Sequence, residues 1–421
     1  MKKTVQFQLS FMMFLEFFIW GGWFVTMGSF LGSNLNASGA ETGMAYSTQS
    51  WGAIIAPFII GMIADRYFNA EKILGVLHLV GAVLMYMMAQ STEFSTFYPY
   101  VLGYMIAYMP TLALVNSVSF NQMSDPAKQF PMVRVWGTIG WILAGLAISF
   151  IFKWDSESNI ANGMLSNTFI MVAIASLVLG VFSFFLPKTP PTSNKEEKAT
   201  ISDILGLDAL KLFKDRNFLV FFISSFLICI PLAFYYQNIS LFLTEYKVDN
   251  STAWASLGQV SEVAFMLLLP FFFKKYGFKN TVLFGMFAWV IRYVLFAYGN
   301  NGDLFFMLVT GIALHGICYD FFFVSGQIYT DSKAGDKVKS AAQGLITLAT
   351  YGIGMLVGFW VAGNIVDKNL IANGAHSWKD IWLFPAIFAT AVLVIFALFF
   401  KSSTSHKLSS NIFRFSFRNT T

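Results

Sequence analysis

Long apolar stretches recur about twelve times along this 421-residue chain, and this repetition constrains the fold more than any other feature. A helix needs about 20 apolar residues to cross a bilayer core of about 30 Å. Charged residues make up 12% of the chain, about half the share in soluble domains. The sequence therefore predicts an all-α integral membrane protein with twelve transmembrane helices, near residues 7–31, 43–64, 73–91, 97–122, 131–152, 164–187, 217–243, 252–273, 280–298, 303–330, 340–363 and 381–400.

A polar segment in the middle of the chain divides these spans six and six. Prolines and charges open residues 188–216, and the later ISDILGLDALKLF portion has apolar residues at helical spacing, which predicts a short interfacial helix. FNAEKILG at 68–75 resembles FKNTVLFG at 278–285, as parallel six-helix repeats require. We therefore expect two six-helix bundles around a central cavity. The predicted divisions are an N-terminal bundle at 1–187, a cytoplasmic linker at 188–216, a C-terminal bundle at 217–401 and a cytoplasmic tail at 402–421.

Lysine and arginine residues are distributed unequally between the two sets of loops. Four of the 27 fall in the loops of one side and two lie within spans, whereas the other 21 fall on the side that holds both termini. The four are Lys153, Lys247, Lys368 and Lys379, and the two are Arg134 and Arg292. Because basic loops stay on the cytoplasmic side, we expect a multi-pass protein with both termini in the cytoplasm. Its formal net charge of +5 then reflects topology and lipid headgroup contact, and no nucleic-acid partner is expected.

The chain lacks the sequence motifs of nucleotide hydrolysis, acyl transfer and metal binding. It has no G-x-x-x-x-G-K-[ST], H-E-x-x-H or G-x-S-x-G motif and no Cys/His metal spacing. Its two cysteines, Cys229 and Cys318, both lie in apolar stretches. We therefore expect neither enzyme activity nor a cofactor, so any uphill transport must draw on an ion gradient.

The loop after the second span reads GMIADRYFNAEK, residues 61–72. Gly61, Asp65 and Arg66 resemble the G-x-x-x-D-R signature of the major facilitator superfamily, which implies a gating loop. The second glycine of that signature is Phe68 here, and its basic cluster is reduced to Lys72. The alternative is an ordinary loop with a surface ion pair.

Several longer blocks narrow the resemblance to one family within that superfamily. The blocks are LEFFIWGGWFVTMGSF, AYMPTLALVNSVSF, FPMVRVWGTIGW, ILGLDALKLFK, GQVSE, LPFFFKKYGFKN and YDFFFVSG. They resemble the bacterial nucleoside:proton symporter family, and the similarity covers residues 4–400. The resemblance implies a nucleoside substrate, protons as the coupling ion and a place in the bacterial inner (cytoplasmic) membrane.

Arg134, Thr138 and Trp141 fall at positions i, i+4 and i+7, on one face of the fifth predicted span. An arginine at a bilayer centre costs roughly 2.5–3.5 kcal/mol, so such residues usually face a protein interior or a wet cavity. Together the three side chains offer a charge, a hydroxyl and a stacking plane. The resemblance implies that Arg134 faces a cavity, opposite Asp320 or Glu262, with Thr138 and Trp141 as substrate contacts. The alternative is that Arg134 extends to the cytoplasmic headgroups.

Gln259 and Glu262 are neighbours at i and i+3 in the eighth predicted span. An amide and a carboxylate suit the hydroxyls of a ribose, and the resemblance assigns both to nucleoside binding. A structural ion pair of Glu262 with another helix is the alternative.

The tenth predicted span brings His315 and Tyr319 onto one face, and Asp320 follows immediately. The resemblance implies that Asp320 is a cavity carboxylate and Tyr319 an aromatic contact. His315 stands where relatives can have tyrosine, so substrate contact and a structural hydrogen bond both remain open.

Other intramembrane polar residues give weaker indications. Tyr236, Gln237 and Asn238 align loosely with a segment that contacts the base in the family. Glu16 in the first span either lines the cavity or packs within the bundle, and Arg292 in the ninth is expected to pack between helices.

These observations predict a monomeric alternating-access importer in which proton entry drives nucleoside uptake. Asp320 is the expected coupling group, with Glu262 and Arg134 as the other candidates. A sugar or polyol symporter of the same fold is the alternative function. A non-transporting receptor or membrane enzyme would need a soluble sensing domain or a catalytic motif, and the sequence has neither.

Overall fold

A computed structural model describes residues 2–59, 68–191, 207–371 and 374–401, and these are almost entirely helical. The helices are α1 (Lys3–Gly21), α2 (Met27–Asn34), α3 (Gly39–Ile59), α4 (Ala70–Ala89), α5 (Phe94–Asn121), α6 (Pro126–Leu146), α7 (Glu157–Ala161), α8 (Ser166–Ser183), α9 (Arg216–Glu245), α10 (Ser251–Tyr298), α11 (Phe305–Ala313), α12 (His315–Tyr319), α13 (Ser325–Thr347), α14 (Met355–Lys368) and α15 (Trp378–Phe399). Wide π-helical turns follow α6, α12 and α13, at Ala147–Phe152, Asp320–Val324 and Leu348–Gly354.

Within the described residues, nine helical segments are long and apolar enough to cross a membrane. One of them is α10, whose 48 residues are interrupted at Gly277, where φ is 71° and ψ is 174°. This conformation is accessible almost only to glycine, and it falls between the eighth and ninth predicted spans. The multi-pass helical architecture is therefore confirmed, whereas the count of twelve stays a prediction.

The first predicted span is not continuous. The structure ends α1 at Gly21 and begins α2 only at Met27. Adjacent glycines, Gly21 and Gly22, weaken a helix at this point. Gly21 also lies directly against Trp141 of α6, and an added Cβ would come within 2.7 Å of its ring. The absence of a side chain at Gly21 therefore allows the end of α1 to lie close against α6.

Three expected features fall wholly or partly outside the described residues. Gly61, Asp65 and Arg66 of the predicted gating loop lie outside them, as does the predicted cytoplasmic tail at 402–421. The start of the predicted linker helix does too, but Leu207–Lys214 forms a 3₁₀ helix that packs against α13.

We refer to α1–α8 as the N-terminal half and to α9–α15 as the C-terminal half. In the first, α1 packs against α6 and α8, and α4 packs against α5 and α8; in the second, α10 packs against α12 and α15, and α9 packs against α14 and α15. Large aromatic side chains fill both interiors. Trp23 packs edge-on against Tyr104, and Trp382 stacks on Tyr293, with all four fully or almost fully buried.

The two halves meet where an aspartate from each caps a helix of the other. Asp367, near the end of α14, accepts hydrogen bonds from the backbone N–H of Gly39 (2.6 Å) and of Ala40 (2.8 Å) at the start of α3. Asp155, just after the turn that follows α6, accepts one from the N–H of Thr252 (3.0 Å) at the start of α10. Helix N-termini leave amides unsatisfied, so each carboxylate stabilises a helix across the interface. We call these two contacts the cross-half caps.

Further contacts between the halves lie at the same end of the molecule. Ser29 of α2 is within hydrogen-bond distance of Ser240 (2.5 Å) in α9. The carboxylate of Glu157 accepts a hydrogen bond from Lys247 at 2.9 Å and thereby raises the pKa of that lysine. The described residues therefore join the halves through several polar contacts at this end.

Candidate functional site

Arg134 of α6 is partly buried, and its guanidinium lies 3.9 Å above the ring of Phe17 in α1. The side chain is thus held inside the N-terminal half by a cation–π contact. Glu262 and Tyr319, both in the C-terminal half, lie within electrostatic range of the guanidinium. The structure therefore places Arg134 where the two halves face each other, and its described contacts include no ion pair with Asp320.

Trp141 lies two turns further along the same helix and is 9% exposed. Its ring packs against that of Trp20 in α1, with a centroid distance of 5.6 Å and an interplanar angle of 60°. Within the described residues, neither buried indole N–H has a hydrogen-bond partner. Buried polar groups usually have one, so this pair offers two free donors beside an aromatic surface. Thr138, between Arg134 and Trp141, is partly buried.

On the opposite side, α12 packs very closely against α10. The N–H of Gly316 donates a hydrogen bond to the hydroxyl of Ser261 (2.7 Å), and an added Cβ at Gly316 would come within 2.4 Å of the Ser261 carbonyl. Gly258, one turn earlier, lies against the ring of His315. Small residues at the interface thus bring His315 against α10.

His315 connects two charged side chains of α10. Its Nε2 lies 2.9 Å from Oε1 of Glu262, and its Nδ1 lies 2.9 Å from Nη1 of Arg292. His315 and Arg292 are fully buried, whereas the Glu262 side chain is 22% exposed. Gln259 is partly buried one turn before Glu262. The expectation that Arg292 merely packs between helices therefore misses its bond to a candidate site residue.

Tyr319 and Asp320 lie where α12 changes into a π-helical turn, a feature that is frequent at functional sites. The hydroxyl of Tyr319 is hydrogen-bonded to that of Tyr351, which lies in the π-helical turn after α13. Asp320 is fully buried, and neither of its carboxylate oxygens has a hydrogen-bond partner within the described residues. A charged carboxylate is costly to bury in this way, so a proton on Asp320 would relieve that cost.

The three candidates in α9 lie in different surroundings. The ring of Tyr236 is 6.0 Å from those of Phe24, in the N-terminal half, and His315. Gln237 is almost fully buried and donates a hydrogen bond to the carbonyl of Gly39 (3.4 Å), beside the cross-half caps. Asn238 is buried as well. Of the three, Tyr236 is the one whose described contacts place it beside His315.

Glu16 lies inside the N-terminal half. Its carboxylate is fully buried, 2.8 Å from Nε2 of His78 in α4, and accepts a hydrogen bond from Thr111 of α5 (2.6 Å). These contacts favour packing within the bundle over a position on the cavity wall.

Several neighbours of the site were not identified from the sequence. Phe17, Trp20 and Phe24 contact Arg134, Trp141 and Tyr236 respectively. Their spacing of i, i+3 and i+7 would put them on one face of a continuous helix, which is a signal that could have identified them. Tyr351 carries no such signal, because it meets Tyr319 from a different span.

Comparisons with known proteins show which family this chain resembles. A family model described as Nucleoside H+ symporter matches residues 1–405. The YegT protein of Escherichia coli (strain K12) is 45% identical over 410 residues, which are 96% of this chain and 95% of that protein. The xanthosine permease of the same organism is 34% identical over 415 residues, covering 94% of this chain and 96% of the permease.

A solved structure has a similar fold. The crystal structure of the nucleoside transporter NupG is 30% identical in sequence and has a TM-score of 0.84, covering 95% of this chain and all of that one. The predicted all-α major facilitator fold is therefore confirmed. Because the family model matches residues 1–405 of this chain, the chain belongs to the nucleoside:proton symporter family.

Proposed function

We propose that this chain imports nucleosides together with protons across a bacterial inner membrane, by alternating access of a site between its two halves. Membership of the nucleoside:proton symporter family supports the reaction. The observation that supports the site is the position of Arg134, which shares a helix face with Trp141 and lies within electrostatic range of Glu262 and Tyr319 in the other half. A ligand held between these groups would contact both halves at once.

The proposed site divides into a base end and a sugar end. Trp141 and Trp20 offer an aromatic surface and two indole N–H groups that have no partner in the described part of the chain, which suit a nucleobase with its flat face and ring acceptors. Gln259 and Glu262 can donate to and accept from the hydroxyls of a ribose. Arg134 lies between the two ends in this assignment, with Thr138 and Tyr319 as further contacts.

Asp320 is the proposed carrier of the coupling proton. Its burial, with no hydrogen-bond partner among the residues that the structure describes, favours a neutral carboxyl group in this state. A conformational change that brought Arg134 or water to Asp320 would favour release of the proton. Coupling then follows from a difference in proton affinity between the two states.

The excess of basic residues in one set of loops supports an orientation with both termini in the cytoplasm. The cross-half caps then lie at the outer end of the molecule. In this state the outer end is closed by contacts between the halves, and the monomer contains the whole proposed site.

Substrate competition tests this function. The chain, reconstituted in proteoliposomes with an inward proton gradient, should take up labelled uridine. Unlabelled nucleosides should compete, whereas free bases and simple sugars should not. Uptake of a labelled sugar without uptake of uridine would favour the sugar or polyol symporter, and no flux despite intact nucleoside binding would favour a receptor.

A further inference from the structure

Arg292 is a fully buried cation with very few polar partners. Its Nη1 contacts His315, whereas its Nε and Nη2 have no hydrogen-bond partner within the described residues. The guanidinium lies 3.5 Å above the ring of Tyr235 in α9. An arginine placed in this way is costly unless an anion nearby balances its charge.

The contact between Arg292 and His315 fixes the state of the histidine ring. A guanidinium has five N–H donors and no acceptor, so Arg292 must donate and Nδ1 of His315 must accept. An accepting Nδ1 carries no hydrogen. The ring is therefore neutral, and its hydrogen lies on Nε2.

That hydrogen lies on the side of His315 that faces Glu262. Oε1 of Glu262 is 2.9 Å from Nε2, although Nε2 makes no hydrogen bond of good geometry within the described residues. The two atoms therefore form a close polar contact, and a small rotation of the ring would align a hydrogen bond. Since the Glu262 side chain is 22% exposed, its carboxylate can meet both the ring and a ligand.

We propose that Arg292 is a positioning residue that acts on Glu262 through neutral His315, so that the three side chains form a relay. The relay orients Glu262 and places the Arg292 cation behind its carboxylate, whose oxygens accept hydrogen bonds from ligand hydroxyls. His315 is then a link within the protein and not a substrate contact. This inference rests on the proposed function, because it assigns Glu262 a ligand to bind.

Other groups around the ring must be considered in any effect of pH. The titratable and charged side chains that face His315 or lie beside it are Glu262 and Arg292 of α10, Tyr235 and Tyr236 of α9, and Cys318, Tyr319 and Asp320 of its own span, with Arg134 of α6 in range of Glu262. Among these, the two arginines stay charged at all accessible pH values. Removing Arg292 therefore removes a permanent cation on the relay side of Glu262.

The test measures uridine affinity of the purified full-length chain across acidic and neutral pH. In Arg292→Met the midpoint of the pH profile should move up by about one unit, because a carboxylate without a nearby cation takes up a proton more readily. His315→Leu, which breaks the link, should shift the midpoint in the same direction. His315→Gln should restore most of the wild-type profile, because its amide can accept from Arg292 and donate to Glu262.

Two controls separate the relay from a loss of folding. The double variant Arg292→Met/His315→Leu should shift the midpoint no further than either single change, as expected for residues that act as one unit. His78→Gln alters a buried glutamate–histidine pair outside the relay and should leave the midpoint in place. Should Arg292→Met fail to fold, Arg292→Lys keeps a charge with different geometry and should give a smaller upward shift.

The possible results distinguish the relay from the function on which it rests. An unchanged midpoint in Arg292→Met, or additive shifts in the double variant, would overturn the relay. If the wild-type chain binds no nucleoside at any pH, the proposed function itself fails.

Discussion

Arg134 shows how a charge is accommodated within this membrane protein. Placing an arginine at a bilayer centre costs roughly 2.5–3.5 kcal/mol. A cation–π contact such as that between Arg134 and Phe17 contributes about 0.5–2 kcal/mol of stabilisation. The aromatic contact alone therefore does not offset the cost. The carboxylate of Glu262, within electrostatic range across the interface, supplies a further favourable interaction. Arg134 is thus held inside the protein, and the described contacts do not support its extension to the lipid headgroups.

Trp141 gives the prediction that belongs to the residue scale. If its ring stacks on the base, Trp141→Ala should weaken nucleoside binding by about 1–3 kcal/mol, the range for base–aromatic stacking. Trp141→Phe should have a mild effect, because it keeps a stacking plane. Affinity is measured on purified protein.

Trp136 of the same helix is a matched control. It is 44% exposed on the surface of the protein, so Trp136→Ala should leave affinity unchanged. Unaltered affinity in Trp141→Ala, at normal expression, would remove Trp141 from the site.

At the scale of helices, the sequence predicted most spans because long apolar runs have few alternatives in a bilayer. It did not predict the break between α1 and α2, or the close approach of Gly21 to Trp141. Nor did it predict the π-helical turns after α6, α12 and α13. Hydropathy measures composition along one segment, whereas these features depend on contacts with other segments.

The same reasoning applies to the candidate site. Helical periodicity predicted that Arg134 and Trp141 share a face, because both lie on one regular helix. Periodicity within a span could not predict the link between Arg292 and His315, which lie in different predicted spans. The proposed roles of all these residues stay predictions until binding and uptake are measured.

At the scale of the whole molecule, we expect the cross-half caps to favour the state in which the outer end is closed. A helix cap contributes about 0.5–2 kcal/mol, so two caps, about 1–4 kcal/mol together, can favour the closed outer end by about 5-fold to several hundred-fold. Asp155→Ala and Asp367→Ala should each shift the population toward outer opening. Spin or dye labels at Glu157→Cys and Lys247→Cys would report this as a longer distance, since these exposed side chains face each other across the halves. The native thiols, Cys229 and Cys318, are buried.

Glu41 supplies a control for loss of negative charge at the same helix. Its carboxylate accepts from the N–H of Ser38 within its own half (2.8 Å), so Glu41→Ala should not lengthen the label distance. Equal distances in the wild type and both aspartate variants would show that the caps do not hold the outer end closed.

The central claim is that proton movement through Asp320 drives nucleoside accumulation. Each proton that enters down the membrane potential supplies about 2.3 kcal/mol per 100 mV, enough for about 50-fold accumulation at that voltage. Asp320→Asn keeps the shape of the side chain but cannot exchange a proton. The exposed Asp380→Asn at the start of α15 serves as the control.

The most direct measurement is uridine uptake by Asp320→Asn proteoliposomes with and without an imposed pH gradient. We predict that the variant exchanges uridine down its own gradient but does not concentrate it when the pH gradient is applied, whereas the wild type and Asp380→Asn do. Concentrative uptake by Asp320→Asn in response to the pH gradient would contradict the account.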